Sequence, residues 1–171
     1  MSIIFERLIV DTKRRTLGLP GGEVACRIGR GGAVAAGEKR EGDGATPVGS
    51  WHLRTLFVRA DRLPAPATSL PWRYVAPEDG WSDDPADPAY NRPVRHPYPF
   101  SAERLWREDG LYDLIVTLNH NSPPVPGAGS AVFLHCTVAD RPHTAGCVAI
   151  DRNDLWAMLP RLSRDTILDI R

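Results

Sequence analysis

The residues that could do chemistry are a histidine and a cysteine that lie twelve positions apart near the C-terminus. An apolar run ends at His135, a polar loop follows, and Cys147 comes directly after Gly146 at the start of a second apolar run. An imidazole beside a thiol is the commonest arrangement that activates a cysteine nucleophile, because it removes the thiol proton. A neighbouring glycine lets a carbonyl substrate approach the backbone, whose N–H groups then hold an oxyanion. The pattern predicts a cysteine acyl-transfer enzyme whose rate rises through a pKa near neutrality.

The same region carries ligand types for zinc, which is the alternative kind of site. His135, Cys136, His143 and Cys147 supply imidazole and thiol groups. Adjacent residues on a strand point to opposite faces, however, so His135 and Cys136 are not expected to face one ion together. We therefore expect no metal. Cys136 and Cys26 lie inside apolar runs, and we expect both thiols in the core.

Composition excludes several classes of protein. The 171 residues carry 21 basic and 21 acidic side chains, so no net charge draws the chain to nucleic acid or to an anionic membrane. The three cysteines are too few, and odd in number, for a disulfide framework. No apolar run has the roughly 18 residues of a membrane span, and the N-terminal residues do not resemble a secretory signal. We expect one domain over residues 1–171, and a monomer.

Short apolar runs separated by Gly, Asn, Asp and Pro predict a mainly β fold. The predicted strands cover residues 3–10, 14–19, 23–28, 51–58, 112–119, 131–136, 148–150 and 166–170. Asp151 predicts the start of a helix that Pro160 shortens, and residues 101–106 are predicted as another short helix. Residues 64–99 hold nine of the 16 prolines, which predicts an ordered but irregular excursion without a central strand or long helix.

The motif around Cys147 resembles the signature of a known family. His135, an interval of eleven residues and the sequence TAGC at 144–147 are similar to the L,D-transpeptidase (YkuD) catalytic domain, in which a His precedes Ser/Thr-His-Gly-Cys. The stretches KREGDGATPVG (39–49), YNRP (90–93), LWR (105–107) and LYD (111–113) resemble one branch of that family. Two positions depart from the signature, because Ala145 stands at its second His and Ala149 at its Asn or Arg.

The resemblance implies a fold and a set of roles. The fold is a mixed β-sandwich with a few short helices and the long Pro-rich insertion. Cys147 is then the nucleophile and His135 its base. The backbone carbonyl of Cys136 orients the imidazole, and N–H groups around Gly146 hold the oxyanion. No cofactor is implied.

Substrate contacts are expected on the loops around this pair. The Pro-rich excursion is expected to pack over or beside the cleft, where its aromatic rings stack on sugars. The alternative is a loop that only covers a sheet edge. His120 either lines the site or caps a strand end, and His143 could replace the histidine missing at Ala145. The predicted substrate-binding residues are Tyr90, Asn91, Arg92, His120, Asn121, His143 and Thr144.

The implied activity is the cross-linking of peptidoglycan. Cys147 forms a thioester with a donor stem peptide, and the side-chain amine of diaminopimelate on an acceptor stem resolves it as a 3-3 or 1-3 link. The expected partners are stem peptides and glycan, and the expected location is the periplasm or cell envelope. Two alternatives remain open. One is a carboxypeptidase or amidase on the same scaffold, in which water resolves the thioester, and the other is a cell-wall binding module without catalysis.

Overall fold

The computed structural model describes residues 3–171; Met1 and Ser2, which belong to the predicted single domain, lie outside this range. Within these residues the chain forms thirteen strands, one α-helix and two short 3-10 turns at Ala36–Glu38 and Leu159–Arg161. The strands are β1 (Arg7–Asp11), β2 (Thr16–Leu19), β3 (Gly22–Arg27), β4 (Ala33–Ala35), β5 (Thr46–Val58), β6 (Trp72–Tyr74), β7 (Asp79–Ser82), β8 (Pro93–Arg95), β9 (Ala102–Arg104), β10 (Leu114–Leu118), β11 (Phe133–Cys136), β12 (Val148–Ile150) and β13 (Ile167–Ile170). The mainly β fold predicted from the sequence is confirmed.

The main sheet is mixed, and its pairings close on themselves. β1 pairs in parallel with β13 and antiparallel with β2, β2 continues to β3, and β3 to β12. β12 pairs in parallel with β11, and β11 antiparallel with β10. The thirteen-residue β5 closes the ring, because its first part pairs with β13 and its second part with β10. The result is a β-sandwich whose two layers share β3 and β5.

Two apolar clusters lie on opposite faces of the layer formed by β10, β11 and β12. Side chains alternate between faces along a strand. Leu134 and Cys136 therefore enter the larger cluster, which fills the space between the two layers. Phe133 and Ile115 enter a smaller cluster on the outer face, together with Cys147. The candidate nucleophile thus lies on the outer face of the sandwich.

The Pro-rich excursion at 64–99 is more regular than the sequence predicts. It contains β6, β7 and β8, and β7 lies between β8 and β9 in a separate antiparallel sheet. Pro93 is the first residue of β8, a position where a strand tolerates the loss of an N–H donor. The helix predicted at 101–106 is wrong, since this segment holds β9. Glu103 lies opposite Trp81 of β7, and this pairing outweighs the local helix preference.

The α-helix α1 (Arg152–Met158) follows β12 and begins where the sequence predicts. The Asp151 side chain accepts hydrogen bonds from the N–H groups of Asn153 and Asp154, which satisfies donors that the first turn leaves free. Pro160 lies in the 3-10 turn that follows and ends the helix. None of the helices in residues 3–171 combines the length and the apolar character that a membrane crossing requires.

Candidate active site

The parallel pairing of β11 and β12 places the two candidate catalytic residues on one face. In this register His135 lies beside Ala149. Because side chains alternate, His135 projects on the face that Cys147, two residues before Ala149, also uses. Cys136 projects into the larger cluster on the opposite face. His135 and Cys136 therefore do not face one ion, and no set of three or more potential metal ligands gathers within residues 3–171.

The Cys147 thiol is almost fully enclosed, with 8% of the residue exposed. Its Sγ donates a hydrogen bond to the carbonyl of Ala131 at 3.1 Å and accepts one from the N–H of Phe133 at 3.3 Å. Burial raises the pKa of Cys147 to about 12, and the nearby carboxylate of Glu103 is a second cause. The Cys147 side chain is therefore a neutral thiol rather than a thiolate at rest.

The His135 ring is buried and fixed in one tautomer. Its Nδ1 lies 2.9 Å from the carbonyl of Cys136, and a carbonyl only accepts, so Nδ1 carries the proton and Nε2 is free to accept one. The ring also packs edge-on against Tyr112, with 5.2 Å between centroids. Burial lowers the pKa of His135 to about 4, below the near-neutral value that the Cys–His pattern predicts. The imidazole is thus neutral at rest, as is the thiol.

Gly146 brings the loop before Cys147 against the strand β5. Its φ is +143°, a conformation that favours glycine, and a Cβ there would lie 2.9 Å from the carbonyl oxygen of Ala45. The Thr46 hydroxyl donates to the Gly146 carbonyl at 2.8 Å. The Gly146 N–H donates to Thr144 Oγ1 at 3.1 Å. The Gly146 N–H is therefore engaged within its own turn.

A cleft of about 590 Å³ opens over this pair and brings in residues that the sequence reasoning missed. Lys39, Glu103 and Tyr112 line it together with Cys147 and His135. The Tyr112 hydroxyl donates to Glu103, and burial raises the pKa of that carboxyl against this hydrogen bond. A signal for Lys39 exists in the sequence, since it opens the stretch KREGDGATPVG. Glu103 had none, because its segment is predicted as a helix.

Comparison with known proteins decides the family. The model of the YkuD family, the L,D-transpeptidase catalytic domain, matches residues 6–170. The chain belongs to this family. Among solved structures, an L,D-transpeptidase from Mycobacterium smegmatis is similar at 12% identity and a TM-score of 0.44, covering 98% of this chain and 59% of that one. The chain thus spans about three fifths of the length of that relative. No curated protein matches the chain.

Tyr90 and Asn91 of this YkuD domain lie beneath the cleft rather than in its wall. Tyr90 is buried, and its hydroxyl donates to Glu41 at 2.5 Å and accepts from the Gly129 N–H at 3.0 Å. Asn91 Oδ1 accepts from the N–H of Ala131 at 3.1 Å. Both residues hold the 129–131 segment whose last carbonyl contacts the Cys147 thiol. The excursion reaches the cleft wall through Asp83 instead.

Three further residues predicted to bind substrate do not line the cleft that contains Cys147. Arg92 is exposed outside the cleft wall, within the part of the chain that the structure describes. His120 is 5% exposed, packs edge-on against Trp51 with 5.0 Å between centroids, and lines a second cavity of about 300 Å³. The Asn121 side-chain amide donates hydrogen bonds to the carbonyls of Val125 and Gly129, at 3.0 and 2.9 Å.

His143 and Thr144 do line the cleft of the YkuD domain. His143 is exposed in the loop that leads to Cys147. Thr144 is engaged with the backbone, because its hydroxyl donates to the Cys147 carbonyl at 2.7 Å while accepting from the Gly146 N–H. Its side chain therefore stabilises the turn that leads to Cys147. Substrate contact by either residue stays a prediction.

Proposed function

We propose that this YkuD domain is a peptidoglycan L,D-transpeptidase that acts through a thioester on Cys147. The observation that carries the proposal is the hydrogen bond from His135 Nδ1 to the Cys136 carbonyl, because it leaves Nε2 as a proton acceptor on the face shared with Cys147. The family supports L,D-transpeptidation over other acyl transfers. The substrates are the stem peptides and glycan of peptidoglycan, and the domain acts as a monomer in the periplasm or cell envelope.

The first step is the transfer of the thiol proton. The Cys147 Sγ–H leaves its hydrogen bond with Ala131, and Nε2 of His135 accepts the proton. Because both groups are neutral at rest, the charged thiolate and imidazolium form only as the substrate carbonyl is attacked. The carbonyl of Cys136 stabilises that imidazolium through Nδ1–H.

As this proton leaves, the Cys147 sulfur attacks a donor-stem carbonyl that follows an L-residue and precedes a D-residue. A C–S bond forms, and the carbonyl electron pair moves to oxygen. The N–H groups of Ala145 and Cys147 donate to this oxyanion. Collapse of the intermediate expels the amine of the D-residue, which takes the proton from His135 and leaves a thioester on Cys147.

An acceptor amine completes the reaction. The side-chain amine of diaminopimelate attacks the thioester, His135 removes a proton from it, and the same proton returns to the departing Sγ of Cys147. The product is a 3-3 or a 1-3 cross-link, according to the stem position that the donor offers. Water in place of the amine would give the L,D-carboxypeptidase or amidase instead.

The experiment that tests the proposal is incubation of the purified protein with defined disaccharide-peptides, followed by mass spectrometry of the products. Cross-linked dimers are expected from the wild type and from Cys26→Ala, and none from Cys147→Ala. Cys26 is the matched control because it is also a buried thiol, with a pKa raised by burial to about 11, but lies in β3 among the larger cluster.

Each other outcome has a defined meaning. Trimmed monomers without dimers would identify the hydrolase. Dimers from Cys147→Ala would refute the thioester mechanism. Binding of the disaccharide-peptides without any conversion, together with a Cys147 that no thiol reagent labels, would identify a non-catalytic wall-binding module.

A further inference from the structure

Lys39 is a buried cation in the wall of the cleft that the mechanism above does not use. The chain has only two lysines, and Lys39 is 4% exposed whereas Lys13 is exposed in a turn. Buried lysines are rare, because removal of the ammonium from water is costly unless it is paired. Lys39 follows the 3-10 turn Ala36–Glu38 and lines the same cleft as Cys147.

The position of the Lys39 ammonium is fixed by two hydrogen bonds. Its Nζ donates to a carboxylate oxygen of Asp43 and to the carbonyl of Arg40, the latter at 3.1 Å. Asp43 is itself held by the N–H groups of Arg40 and Ala45, each at 2.8 Å. Burial acts to raise the pKa of Asp43, but these hydrogen bonds hold it below its usual value. The carboxylate is therefore charged and anchors the ammonium.

The surrounding backbone is shaped to admit the lysine side chain. Gly129 has a φ of +100°, and a Cβ there would lie 3.0 Å from Cγ and 3.1 Å from Cε of Lys39. Any side chain at position 129 would press on the lysine stem. The close approach of this glycine supports a single, fixed course of the side chain toward the cleft.

The third N–H of the ammonium remains for the active site. An ammonium has three donors, and Asp43 and Arg40 take two of them. Nζ lies 3.6 Å from the position that a Cβ would occupy on Gly146, the residue before the nucleophile. The Lys39 charge also influences the Cys147 thiol. Burial raises the pKa of Cys147, and the positive charge of Lys39 acts to lower that pKa.

We propose that Lys39 is a catalytic residue whose third N–H donates to the oxyanion formed when Cys147 attacks a carbonyl carbon. The inference rests on the acylation of Cys147 given above. As the C–S bond forms, the carbonyl electron pair moves to oxygen, and Lys39 stabilises that charge without giving up a proton. Asp43 neutralises the ammonium at rest, and the oxyanion becomes the third hydrogen-bond partner of the ammonium. The backbone donors of Ala145 and Cys147 act beside it.

Two probes of the same thiol separate this role from the others. Acylation by an activated thioester, such as phenyl thioacetate, passes through a tetrahedral oxyanion, whereas alkylation by iodoacetamide does not. Both require the Cys147 thiolate, and both are followed by the mass shift on the peptide that carries Cys147. Lys39→Met removes the charge at similar volume, and Lys13→Met is the matched control on the exposed lysine.

The expected result is a selective loss of acylation. In Lys39→Met the rate of acylation should fall on the order of 10²-fold, the effect typical of an oxyanion donor. The rate of alkylation should fall only about tenfold. Lys13→Met should change neither rate. If Lys39→Met leaves Asp43 uncompensated and does not fold, the double variant Lys39→Met/Asp43→Asn removes both charges and should show the same selective loss.

Two results would overturn the inference. An equal fall in the acylation and alkylation rates would mean that Lys39 affects only the formation of the thiolate or the folding of the domain. An unchanged acylation rate would mean that Lys39 has no part in the reaction. The outcome is independent of the natural substrate. A selective loss of acylation in Lys39→Met, in a protein that never cross-links stem peptides, would support the role of Lys39 and refute the transpeptidase activity. A wild-type protein that is not acylated at Cys147 would refute the thioester mechanism.

Discussion

Replacement of Asn91 should destabilise the domain strongly, because this one side chain ties the Pro-rich excursion to two loop segments, one of which precedes β11. Asn91 Oδ1 accepts from Trp81 Nε1 at 2.9 Å and from the Ala131 N–H at 3.1 Å. Its Nδ2 donates to the carbonyls of His120 and Asn121 at 3.3 and 3.1 Å. All four of its hydrogen-bonding positions are thus in use.

The magnitude follows from these contacts and from the backbone. A net hydrogen bond contributes about 0.5–1.5 kcal/mol, and Asn91 is half-buried, so the four together are worth about 3 kcal/mol. Asn91 also has a φ of 55°, and an alanine in this left-handed region costs about 1 kcal/mol more. Asn91→Ala should therefore lose about 4 kcal/mol, which corresponds to a fall in Tm of about 8–16 °C for a domain of this size.

Thermal unfolding followed by circular dichroism measures this effect, and two variants act as controls. Asn91→Gly accepts the positive φ and should be less destabilised than Asn91→Ala by about 1 kcal/mol. Asn153→Ala, on an exposed helix position, should stay within about 0.5 kcal/mol of the wild type. A Tm of Asn91→Ala within about 2 °C of the wild type, with a raised KM, would refute the structural role and favour the substrate contact predicted from sequence.

Two further predictions concern the catalytic strands. Because burial lowers the pKa of His135 to about 4 and raises that of Cys147 to about 12, kcat/KM should rise with pH through a group well below the usual 6.5 and stay level from about pH 6 to 9. The free energy of unfolding should fall as pH drops from about 6.5 toward 4, because the His135 imidazole takes up a proton more readily in the unfolded chain than in the folded one. A kcat/KM profile that rises through a pKa of about 6.5 or higher would contradict the lowered pKa of His135 on which both expectations rest. Gly146→Ala should lose activity and about 2–3 kcal/mol in a urea titration, because of its φ and the close Ala45 carbonyl. Gly22→Ala, where a Cβ meets nothing within 4 Å, should behave as the wild type, and equal behaviour of the two variants would show that the turn adapts.

The sequence predicted those features that depend on local pattern. Alternation and turn residues located eight of the thirteen strands in the described residues to within about five residues at each end, and the Gly-Cys dipeptide after a strand-end histidine located the candidate pair. The short strands β4, β6, β7, β8 and β9 were not predicted. The segment 101–106 could not be predicted in this way, because its strand forms only on the edge that β7 provides, with Trp81 opposite Glu103. Local helix preference gave the wrong structure there.

The direction of side chains was the second feature that the sequence could not predict. Tyr90 and Asn91 have the aromatic and amide groups of a sugar-binding loop, but both side chains accept hydrogen bonds from the 129–131 segment instead. Lys39 and Glu103 are separated from Cys147 by long stretches of chain, and only tertiary packing brings them into one cleft, with Glu103 coming from the separate three-stranded sheet. Such contacts are set by topology rather than by spacing.

The hydrogen bond between the Cys147 thiol and the Ala131 carbonyl has a consequence for the redox chemistry of the protein. Peroxides and disulfides react with thiolates, and their attack also requires access to sulfur. Cys147 is buried and protonated at rest, and Cys26 and Cys136 are buried with pKa values raised by burial as well. An oxidising environment therefore meets three slow-reacting thiols. Cys147 should therefore stay reduced longer than an exposed thiolate would at the same peroxide concentration.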